Sequence, residues 1–354
     1  MKRVILTGGG TGGHCLPMQV LFNNFVEKKL DCYIVTDKKG KSFFTSIDPG
    51  KVIVLWQVMQ SNGRILQLFN LPIILLQSMI IFLRLNPNFT IGFGGYITFP
   101  FLIAGSLLKY KVAAHEANAV LGKANKFLMG RIKYLFTAFH ETKNIHKNYV
   151  KKIIHVGMPV RLYRDSMNRK ESDDKHFNIS VIGGSQGASS FSNFVPKAII
   201  MFQSQSNVCC TVNHQTRKDD LILVKNAYSS SQVDSCVEKF FPDMPRRIFE
   251  SDLIISRSGS STANEIIHYG KPSILVPYPY ATDNHQYYNA LVLEKILGSK
   301  IILDQELNVE GLCLEILQFF KDINIKKDFI SNSISRQSYI NPCERIYSLI
   351  RNDL

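Results

Sequence analysis

Two glycine-rich loops constrain the fold of this chain more than any other feature of its sequence. They occupy residues 8–14 (GGGTGGH) and 183–188 (GGSQGA), and each follows a short apolar segment and precedes a helical one. Glycine permits positive φ and a close approach of backbone N–H groups to an anion, and the helix N-terminus adds unpaired donors and partial positive charge. The loops therefore predict two phosphate-binding turns, one at the head of each half of the chain.

Short apolar segments alternate with helical stretches in both halves. The predicted strands are 4–7, 32–36, 52–55, 90–93, 112–115 and 134–138, then 179–182, 208–212, 253–256, 273–276 and 300–303. This alternation is typical of parallel sheets covered by helices on both faces. A hinge and a polar linker are expected at 155–161 and 165–176. The sequence predicts an α/β protein with two Rossmann-like domains facing a cleft.

Charge and cysteine content narrow the function classes. The formal net charge is +14, but the basic residues form no stripe interleaved with aromatics, so a nucleic-acid partner is not expected. A solvated basic surface and contact with acidic membrane head groups both stay open. The seven cysteines include no Cys-x-x-Cys pair, which favours free thiols over a disulfide framework or a zinc site. Residues 1–3 run directly into the first strand, and a cytoplasmic protein is expected.

One segment bears on the membrane question. Residues 65–83 carry no charge and are flanked by Arg64 and Arg84, but Gln67, Asn70 and Pro72 are among the residues that interrupt the run. A membrane-spanning helix needs about 20 apolar residues, so a span is not predicted. A buried helix of an α/β domain and a face lying in the membrane interface both fit the pattern.

The remaining motifs lie where parallel sheets bind ligands, after the carboxyl ends of strands. Residues 92–100 (GFGGYITFP) and 114–118 (AHEAN) follow two predicted strands of the first half. In the second half, 256–265 (SRSGSSTANE) opens a helix with small hydroxyl residues, and Glu265 can accept two hydrogen bonds from a ribose diol. The loop 277–286 ends in Gln286, whose amide suits sugar hydroxyls. An ordinary helix cap is the alternative interpretation of 256–265.

Taken in order, these motifs resemble the MurG family of UDP-N-acetylglucosamine transferases, which complete the lipid-linked disaccharide precursor of peptidoglycan. The resemblance covers nearly the whole chain and includes residues 157–161 (GMPVR) and 281–290 (ATDNHQYYNA). Two motifs depart from the family pattern: Ala117 stands where HEQN has Gln, and Met158 stands where GNPVR has Asn. The resemblance implies a GT-B fold and a role in cell-wall formation and cell division. It implies an acceptor- and membrane-binding domain at 1–160 and a UDP-sugar domain at 161–335. A C-terminal helix at 336–354, which can return to the first domain, completes this expected organisation.

The resemblance also implies which residues bind the two substrates. The expected contacts to UDP-N-acetylglucosamine are Thr11, Gly12, Gly13, Asn118, Arg161, Ser185, Phe241, Ser260, Ser261, Thr262, Ala263, Asn264, Glu265 and Gln286. The expected contacts to the acceptor diphosphate are Gly10, Gly12, Gly13, Gly94, Gly95 and Tyr96. The implied acceptor is undecaprenyl-pyrophosphoryl-muramyl-pentapeptide. The resemblance also implies that the protein is peripheral and lies on the cytoplasmic side of the inner membrane.

The implied reaction inverts the anomeric centre. The 4-hydroxyl of N-acetylmuramic acid attacks the α-linked donor, a β1,4 bond forms and UDP leaves. Backbone N–H donors and a helix dipole can stabilise UDP, and the sequence has no Asp-x-Asp pair, so neither a metal nor another cofactor is expected. A base must accept the hydroxyl proton, and His14 is the first candidate because histidine titrates near neutrality. Glu116 is the second, and a purely orienting role of His14 stays open.

Three other classes compete with this interpretation. A nicotinamide-dependent oxidoreductase could use the first loop with Asp37 near the end of the second strand, but it leaves the second loop and Glu265 unexplained. A glycosyltransferase acting on a diacylglycerol or sterol would share the donor half, and residues 92–100 and 115–118 argue against it. A non-catalytic membrane or RNA-binding protein would explain the charge but not the ordered motifs.

Overall fold

The computed structural model describes residues 2–56, 70–161, 175–183, 189–336 and 341–354. For residues 334–336 it describes the backbone alone. Part of the uncharged run (65–69) and most of the second glycine loop (184–188) lie outside the described residues. The chain forms two units. The first comprises Met1–Arg161 with Ile340–Leu354, and the second comprises Leu162–Tyr339.

The first unit contains a parallel sheet of seven strands in the order β3-β2-β1-β4-β5-β6-β7. The strands are β1 (Arg3–Thr7), β2 (Asp31–Thr36), β3 (Val52–Val54), β4 (Phe89–Gly92), β5 (Val112–Glu116), β6 (Tyr134–Thr137) and β7 (Ile153–His155). The central strands are buried along nearly their whole length, which fits their continuous apolar sequences.

Helices cover both faces of this sheet. They are α1 (Gly12–Glu27), α2 (Leu71–Leu85), α3 (Thr98–Leu107), α4 (Lys123–Leu128) and, from the C-terminal segment, α12 (Pro342–Ile350). On one face α1 and α12 share a core, to which α12 contributes Cys343, Ile346 and Ile350. The other face packs against α2, α3 and α4. The Lys28–Glu344 ion pair, 2.8 Å long, also joins α12 to the segment after α1.

The order of the strands reverses at β1, which lies between β2 and β4. The loops that follow β1 and β4 therefore meet at one crevice, where open α/β sheets bind ligands. The N–H of Phe93 donates to the carbonyl of Thr7 at 2.8 Å, and that of Gly9 donates to the carbonyl of Gly94 at 3.3 Å. A Cβ on Gly95 would lie 2.6 Å from the Gly9 oxygen, so the approach of the two loops requires glycine.

The second unit repeats this architecture with a parallel sheet in the order β10-β9-β8-β11-β12-β13. The strands are β8 (His176–Ile182), β9 (Cys209–Gln215), β10 (Asp234–Glu238), β11 (Leu253–Ser256), β12 (Ser273–Leu275) and β13 (Lys300–Ile301). The helices are α5 (Ser189–Ser206), α6 (Leu221–Ser229), α7 (Met244–Glu250), α8 (Ser260–Tyr269), α9 (His285–Leu297), α10 (Val309–Lys321) and α11 (Ile323–Arg336). Its switch point lies at β8, between β9 and β11.

The predicted fold class is confirmed, and the strand prediction misses two edges. The segment Ile153–His155 forms β7 and ends at the first residue of the expected hinge. Asp234–Glu238 forms β10, and neither strand was predicted. Both are short, and β10 (DSCVE) is mostly exposed and polar because it lies at the edge of its sheet. A search for continuous buried runs overlooks such strands.

The uncharged run forms a helix with two different faces. Within α2 the stripe Ile74, Ser78 and Phe82 is buried. The opposite stripe, Leu76, Ile80 and Leu83, is 63%, 56% and 66% exposed. The described part of the run is therefore partly core and partly an exposed apolar surface. Among the described helices, none is long and apolar enough to cross a membrane.

Candidate functional site

A pocket of about 180 Å3 opens at the switch point of the first unit. His14 of α1, the loops after β4 and β5, and the first residues of α3 and α4 line it. It brings together several predicted site residues: His14, Gly94, Gly95, Glu116 and Asn118. Its size suits one part of a ligand better than a whole lipid-linked glycopeptide. Tyr96 packs instead against the core on the α2 and α3 face.

The ring of His14 is held by two contacts. Its Nδ1 lies 3.1 Å from the carbonyl oxygen of Gly9. A carbonyl oxygen only accepts, so Nδ1 carries the hydrogen and Nε2 is the ring nitrogen able to take up a proton. Gly94 has φ +104°, and a Cβ there would lie 2.9 Å from both Cδ2 and Nε2 of His14. Glycine at 94 therefore leaves room for the imidazole.

Asp37, at the end of β2, faces the first glycine loop. Its Oδ1 accepts the N–H of Gly10 at 3.1 Å and the N–H of Gly40 at 2.6 Å, and the residue is 8% exposed. In a dinucleotide-binding enzyme an acid at this place holds a ribose. Here the carboxylate contacts the loop itself, which weakens the oxidoreductase interpretation. The N–H of Gly10 is thus engaged, whereas Gly12 and Gly13 begin α1, where N–H groups lack helical acceptors.

Glu116 organises the loop that follows β5. Its Oε1 accepts from the backbone N–H and the side-chain amide of Asn118, at 3.1 and 3.3 Å. Its Oε2 accepts from the N–H of Gly122 at 2.9 Å and from the side-chain amide of Asn125 at 2.8 Å. Each oxygen of this buried carboxylate therefore has two donors, which is the full satisfaction that a buried charge needs.

His115 is neutral in this pocket. It is 2% exposed, and its Nε2 donates to the carbonyl of Gly157 at 2.9 Å. Burial lowers the pKa of His115 to about 4, although the hydrogen bond to Gly157 opposes the shift. The ring stacks on Phe93 with centroids 5.2 Å apart. An uncharged, packed imidazole in this position orients the loop and carries no charge to a ligand at neutral pH.

In the second unit, α8 carries most of the predicted donor residues. The helix begins at Ser260 after the cap residue Gly259, and Ser261, Thr262 and Ala263 follow in its first turn. Glu265, 7% exposed, lies in the second turn. The Asn264 side chain donates to the carbonyl of Ser260 at 2.8 Å. The first turn therefore presents the N–H groups of a helix N-terminus beside a nearly buried carboxylate.

Gln286 and Phe241 lie on other elements of the same unit. The Gln286 Oε1 accepts the N–H of Tyr278 at 3.0 Å, and its backbone carbonyl accepts from Ser258 Oγ at 2.8 Å. Phe241 is 2% exposed under the guanidinium of Arg247. Only the backbone of Phe241 is thus available to contact the nucleobase of the donor. Ser185 lies outside the described residues, and Arg161 belongs to the first unit.

Sequence reasoning overlooked Arg257, a buried cation directly after β11. Its guanidinium is paired with Asp304 at 2.6 Å and donates to the carbonyl of Val276 at 3.0 Å and to Ser190 Oγ at 3.1 Å. The residue is 6% exposed, and its backbone N–H donates to the carbonyl of Ile182 at 3.1 Å. The sequence does show an arginine directly after an apolar strand. An arginine in such a buried position needs a partner of opposite charge, so the pattern could have indicated an ion pair.

The part of the chain described here contains no group of three or more His, Cys, Asp or Glu side chains arranged to hold a metal ion. The predicted free thiols are confirmed for all seven cysteines. Burial raises the pKa of the Cys15 thiol, which lies near the first glycine loop, to about 12. Cys15 is therefore a packing residue and not a nucleophile.

Comparison with known proteins decides the family. Residues 4–137 match the glycosyltransferase family 28 N-terminal domain, and residues 178–338 match the corresponding C-terminal domain. A protein of Rickettsia felis is 32% identical over 346 residues, covering 95% of this chain and 96% of its own. It is called UDP-N-acetylglucosamine--N-acetylmuramyl-(pentapeptide) pyrophosphoryl-undecaprenol N-acetylglucosamine transferase. This chain belongs to that family.

Other relatives agree with the family assignment. A transferase of the same name from Brucella anthropi is 35% identical over 337 residues, covering 89% of this chain and 85% of its own. The crystal structure of MurG from Acinetobacter baumannii superposes with a TM-score of 0.78 over 99% of this chain and 100% of its own, at 23% identity. That likeness supports the two-domain GT-B fold. The chain is thus a hexosyltransferase of the peptidoglycan-synthesis family, as its motifs predicted.

Proposed function

We propose that this chain transfers N-acetylglucosamine from UDP-N-acetylglucosamine to the 4-hydroxyl of N-acetylmuramic acid in undecaprenyl-pyrophosphoryl-muramyl-pentapeptide. The names of its relatives contain both substrates. One observation in the structure carries the proposal further. In the pocket of the first unit, the Gly9 carbonyl fixes the His14 tautomer that leaves Nε2 as the proton acceptor. A base poised in this way is what activation of a sugar hydroxyl requires.

His14 is the general base in this proposal, and Glu116 is an orienting residue. Both oxygens of Glu116 already accept two hydrogen bonds each, from groups between residues 118 and 125. Taking a proton there would break the contacts that hold Asn118 in place. The Nε2 of His14 removes the proton of the 4-hydroxyl as the oxygen attacks the anomeric carbon, and the configuration inverts.

The leaving diphosphate and the nucleoside belong to the second unit in this proposal. The N-terminus of α8 offers N–H groups and a favourable dipole to the diphosphate, and Glu265 accepts hydrogen bonds from the ribose diol. Gln286, whose Oε1 is engaged by Tyr278, retains its amide hydrogens for hydroxyls of the sugar. Gly12 and Gly13, at the start of α1, serve the acceptor diphosphate.

The transfer assay tests the activity directly. The chain is incubated with radiolabelled UDP-N-acetylglucosamine and lipid-linked muramyl-pentapeptide, and labelled lipid product is extracted. We expect product from this acceptor, none from an acceptor whose 4-hydroxyl is methylated, and turnover at least roughly 100-fold lower for His14→Gln. Equal transfer to diacylglycerol would identify a different acceptor class. Near-normal turnover of His14→Gln would show that another group is the base.

The proposal places the protein peripherally on the cytoplasmic face of the inner membrane, where the polyprenyl tail of the acceptor is anchored. The exposed stripe Leu76, Ile80 and Leu83 of α2 is the docking surface. Trp56, 66% exposed, lies beside α2, because its backbone N–H and carbonyl bond Gln77 at 2.8 and 2.9 Å. An aromatic ring next to an apolar helix face suits the level of the lipid head groups.

Vesicle binding tests the docking surface. Trp56 is the single tryptophan of the chain, so its emission reports on this surface alone. We expect a blue shift with anionic vesicles, binding weakened by salt, and at least about tenfold weaker binding when Leu76, Ile80 and Leu83 become Ser. The matched control is Ile222→Ser, at a 73% exposed apolar residue of the second unit. Binding that neither salt nor the triple change affects would place the attachment elsewhere.

A further inference from the structure

One peptide group of the first glycine loop is hydrogen-bonded at both of its ends. The N–H of Gly10 donates to Asp37 Oδ1 at 3.1 Å, and the carbonyl of Gly9 accepts from His14 Nδ1 at 3.1 Å. The N–H of Gly10 and the carbonyl of Gly9 belong to the same amide. The carboxylate, the amide and the imidazole therefore form one continuous chain of hydrogen bonds.

We propose that Asp37 is a positioning residue for His14, acting through the Gly9–Gly10 peptide; this rests on the proposed role of His14 as the base. A carboxylate next to the N–H polarises the amide and makes its oxygen a stronger acceptor. A stronger acceptor holds Nδ1–H more firmly and stabilises the positive charge that the ring gains with the proton. The arrangement resembles the carboxylate–histidine pair of hydrolases, with a peptide group inserted between the two side chains.

The proton balance is simple. The proton of the 4-hydroxyl moves to His14 Nε2 while the oxygen forms its bond to the anomeric carbon and the bond to UDP breaks. The hydrogen on Nδ1 stays where it is, and no proton is transferred to Asp37. Asp37 therefore touches neither substrate, and its influence appears only in the state where the imidazole is charged.

The surroundings hold Asp37 in this role. A Cβ on Gly9 would lie 2.8 Å from Asp37 Cγ, so glycine at this position is what lets the carboxylate reach the loop. The Gly40 N–H, 2.6 Å away, fixes the same oxygen from the other side. The carboxylate also helps to raise the pKa of Cys15, after the larger effect of burial, which places its charge close to α1.

The pocket around His14 contains other titratable groups. The titratable residues that line the pocket with it are His115, Glu116 and Lys123. His115 is neutral near pH 7, because its pKa is lowered to about 4. Glu116 is enclosed by its four donors, and Lys123 is exposed on α4. Lys38 and Lys39, next to Asp37 in the sequence, are also exposed. Asp37 is a carboxylate connected to His14 through the two hydrogen bonds of the Gly9–Gly10 peptide.

The test compares Asp37→Asn, His14→Gln and the double variant of the full chain in the transfer assay. The Asn oxygen can still accept from Gly10, so the variant removes mainly the charge. We expect kcat to fall at least about tenfold, with the KM of each substrate within about threefold. The acidic limb of the kcat profile should move to lower pH, because a nearby negative charge raises the pKa of a histidine. In the His14→Gln background the same change should cost nothing further.

Two controls separate this role from a structural one. Asp48 also accepts a backbone N–H, that of Gly50 at 2.9 Å, on an exposed turn of the same unit, so Asp48→Asn should leave kcat unchanged. Gly9→Ala, whose methyl group displaces the carboxylate, should reproduce the kinetic signature if Asp37→Asn folds poorly. An unchanged kcat in both variants, or an equal loss in the His14→Gln background, overturns the inference. Normal turnover of His14→Gln alone overturns the proposed base instead.

Discussion

The two units share one topology but place opposite charges at their switch points. In the first unit the loop after β1 lies against a carboxylate, Asp37, which accepts the N–H of Gly10. In the second unit the residue after β11 is a buried guanidinium, Arg257, which joins Ser190, Asp304 and the end of β12. Each sheet reverses its strand order at its own crevice. The fold therefore provides the position, and the residues placed there determine the chemistry.

The difference matches a division of labour in the proposed reaction. A base that must take up a proton is favoured by a negative neighbour, and a departing diphosphate is favoured by a positive one. The first unit supplies the former with Asp37. In the second unit Arg257 is paired with Asp304, and the N-terminus of α8 supplies the positive end of a helix dipole. Four predictions test how far this contrast between the two units holds.

The largest expected effect comes from removing the cation of the second unit. Arg257→Met leaves Asp304 without its buried partner and should lower the free energy of unfolding by roughly 3 to 5 kcal/mol. Chemical denaturation followed by circular dichroism measures this. The matched control is Arg246→Met, whose exposed pair with Glu250 at 2.7 Å should contribute less than about 1 kcal/mol. If both variants lost a similar free energy of unfolding, burial would not make the Arg257–Asp304 pair more stabilising than an exposed pair.

Acid should destabilise both units, because each contains a buried histidine. Burial lowers the pKa of His115 to about 4 and that of His214 to about 3, against about 6.5 in an unfolded chain. The unfolded chain then binds protons that the native one does not, so stability falls as pH drops from about 6.5 toward 4. His115→Gln should remove about 3 kcal/mol of that fall, measured by urea unfolding at pH 7 and pH 4. The exposed His176→Gln should leave the pH dependence intact; if it behaves like His115→Gln, burial is not the cause.

Donor affinity should depend strongly on Glu265 of the second unit. Glu265→Ala should weaken binding of UDP-N-acetylglucosamine by about 2 to 3 kcal/mol, roughly a hundredfold, because a charge-assisted pair of hydrogen bonds is lost. Calorimetric titration measures the dissociation constant. Glu294→Ala, at an exposed residue of α9, is the control and should bind normally. Unaltered affinity of Glu265→Ala would remove the ribose contact from the proposal.

The smallest effect concerns the glycine beside the base. Gly94→Ala forces a φ of +104° on alanine and sets its methyl group against His14, at a cost of about 1 to 2 kcal/mol. Turnover should drop about tenfold while donor affinity stays constant. Gly130→Ala, where the nearest atom to an added Cβ is 3.7 Å away, is the matched control. If Gly94→Ala turned over normally, the ring of His14 would not depend on that loop.

The sequence predicted the sheets well because buried parallel strands are continuous apolar runs, as in Ile179–Ile182 within β8. It also named His14 and Glu116 as the two candidate bases, and both residues line one pocket of the first unit. It could not predict the partners of Glu116, because they depend on how the loop of residues 118–125 turns back over the carboxylate. It could not predict the pairing of Arg257 with Asp304 either, because that contact joins segments far apart in sequence. The sequence placed Asp37 near the end of the second strand. It could not predict that the side chain accepts a hydrogen bond from the first glycine loop, because that depends on the rotamer of Asp37.

The return of α12 to the first unit also bears on how the chain is made. Cys343, Ile346 and Ile350 complete a core whose other members begin at Val4, and the whole second unit is translated between them. Domains usually fold in order of synthesis. Here we expect the unit encoded in the middle to finish first, while the N-terminal one waits for its last helix. Limited proteolysis of ribosome-bound chains halted before residue 340 would show this as a resistant second unit and a sensitive first one.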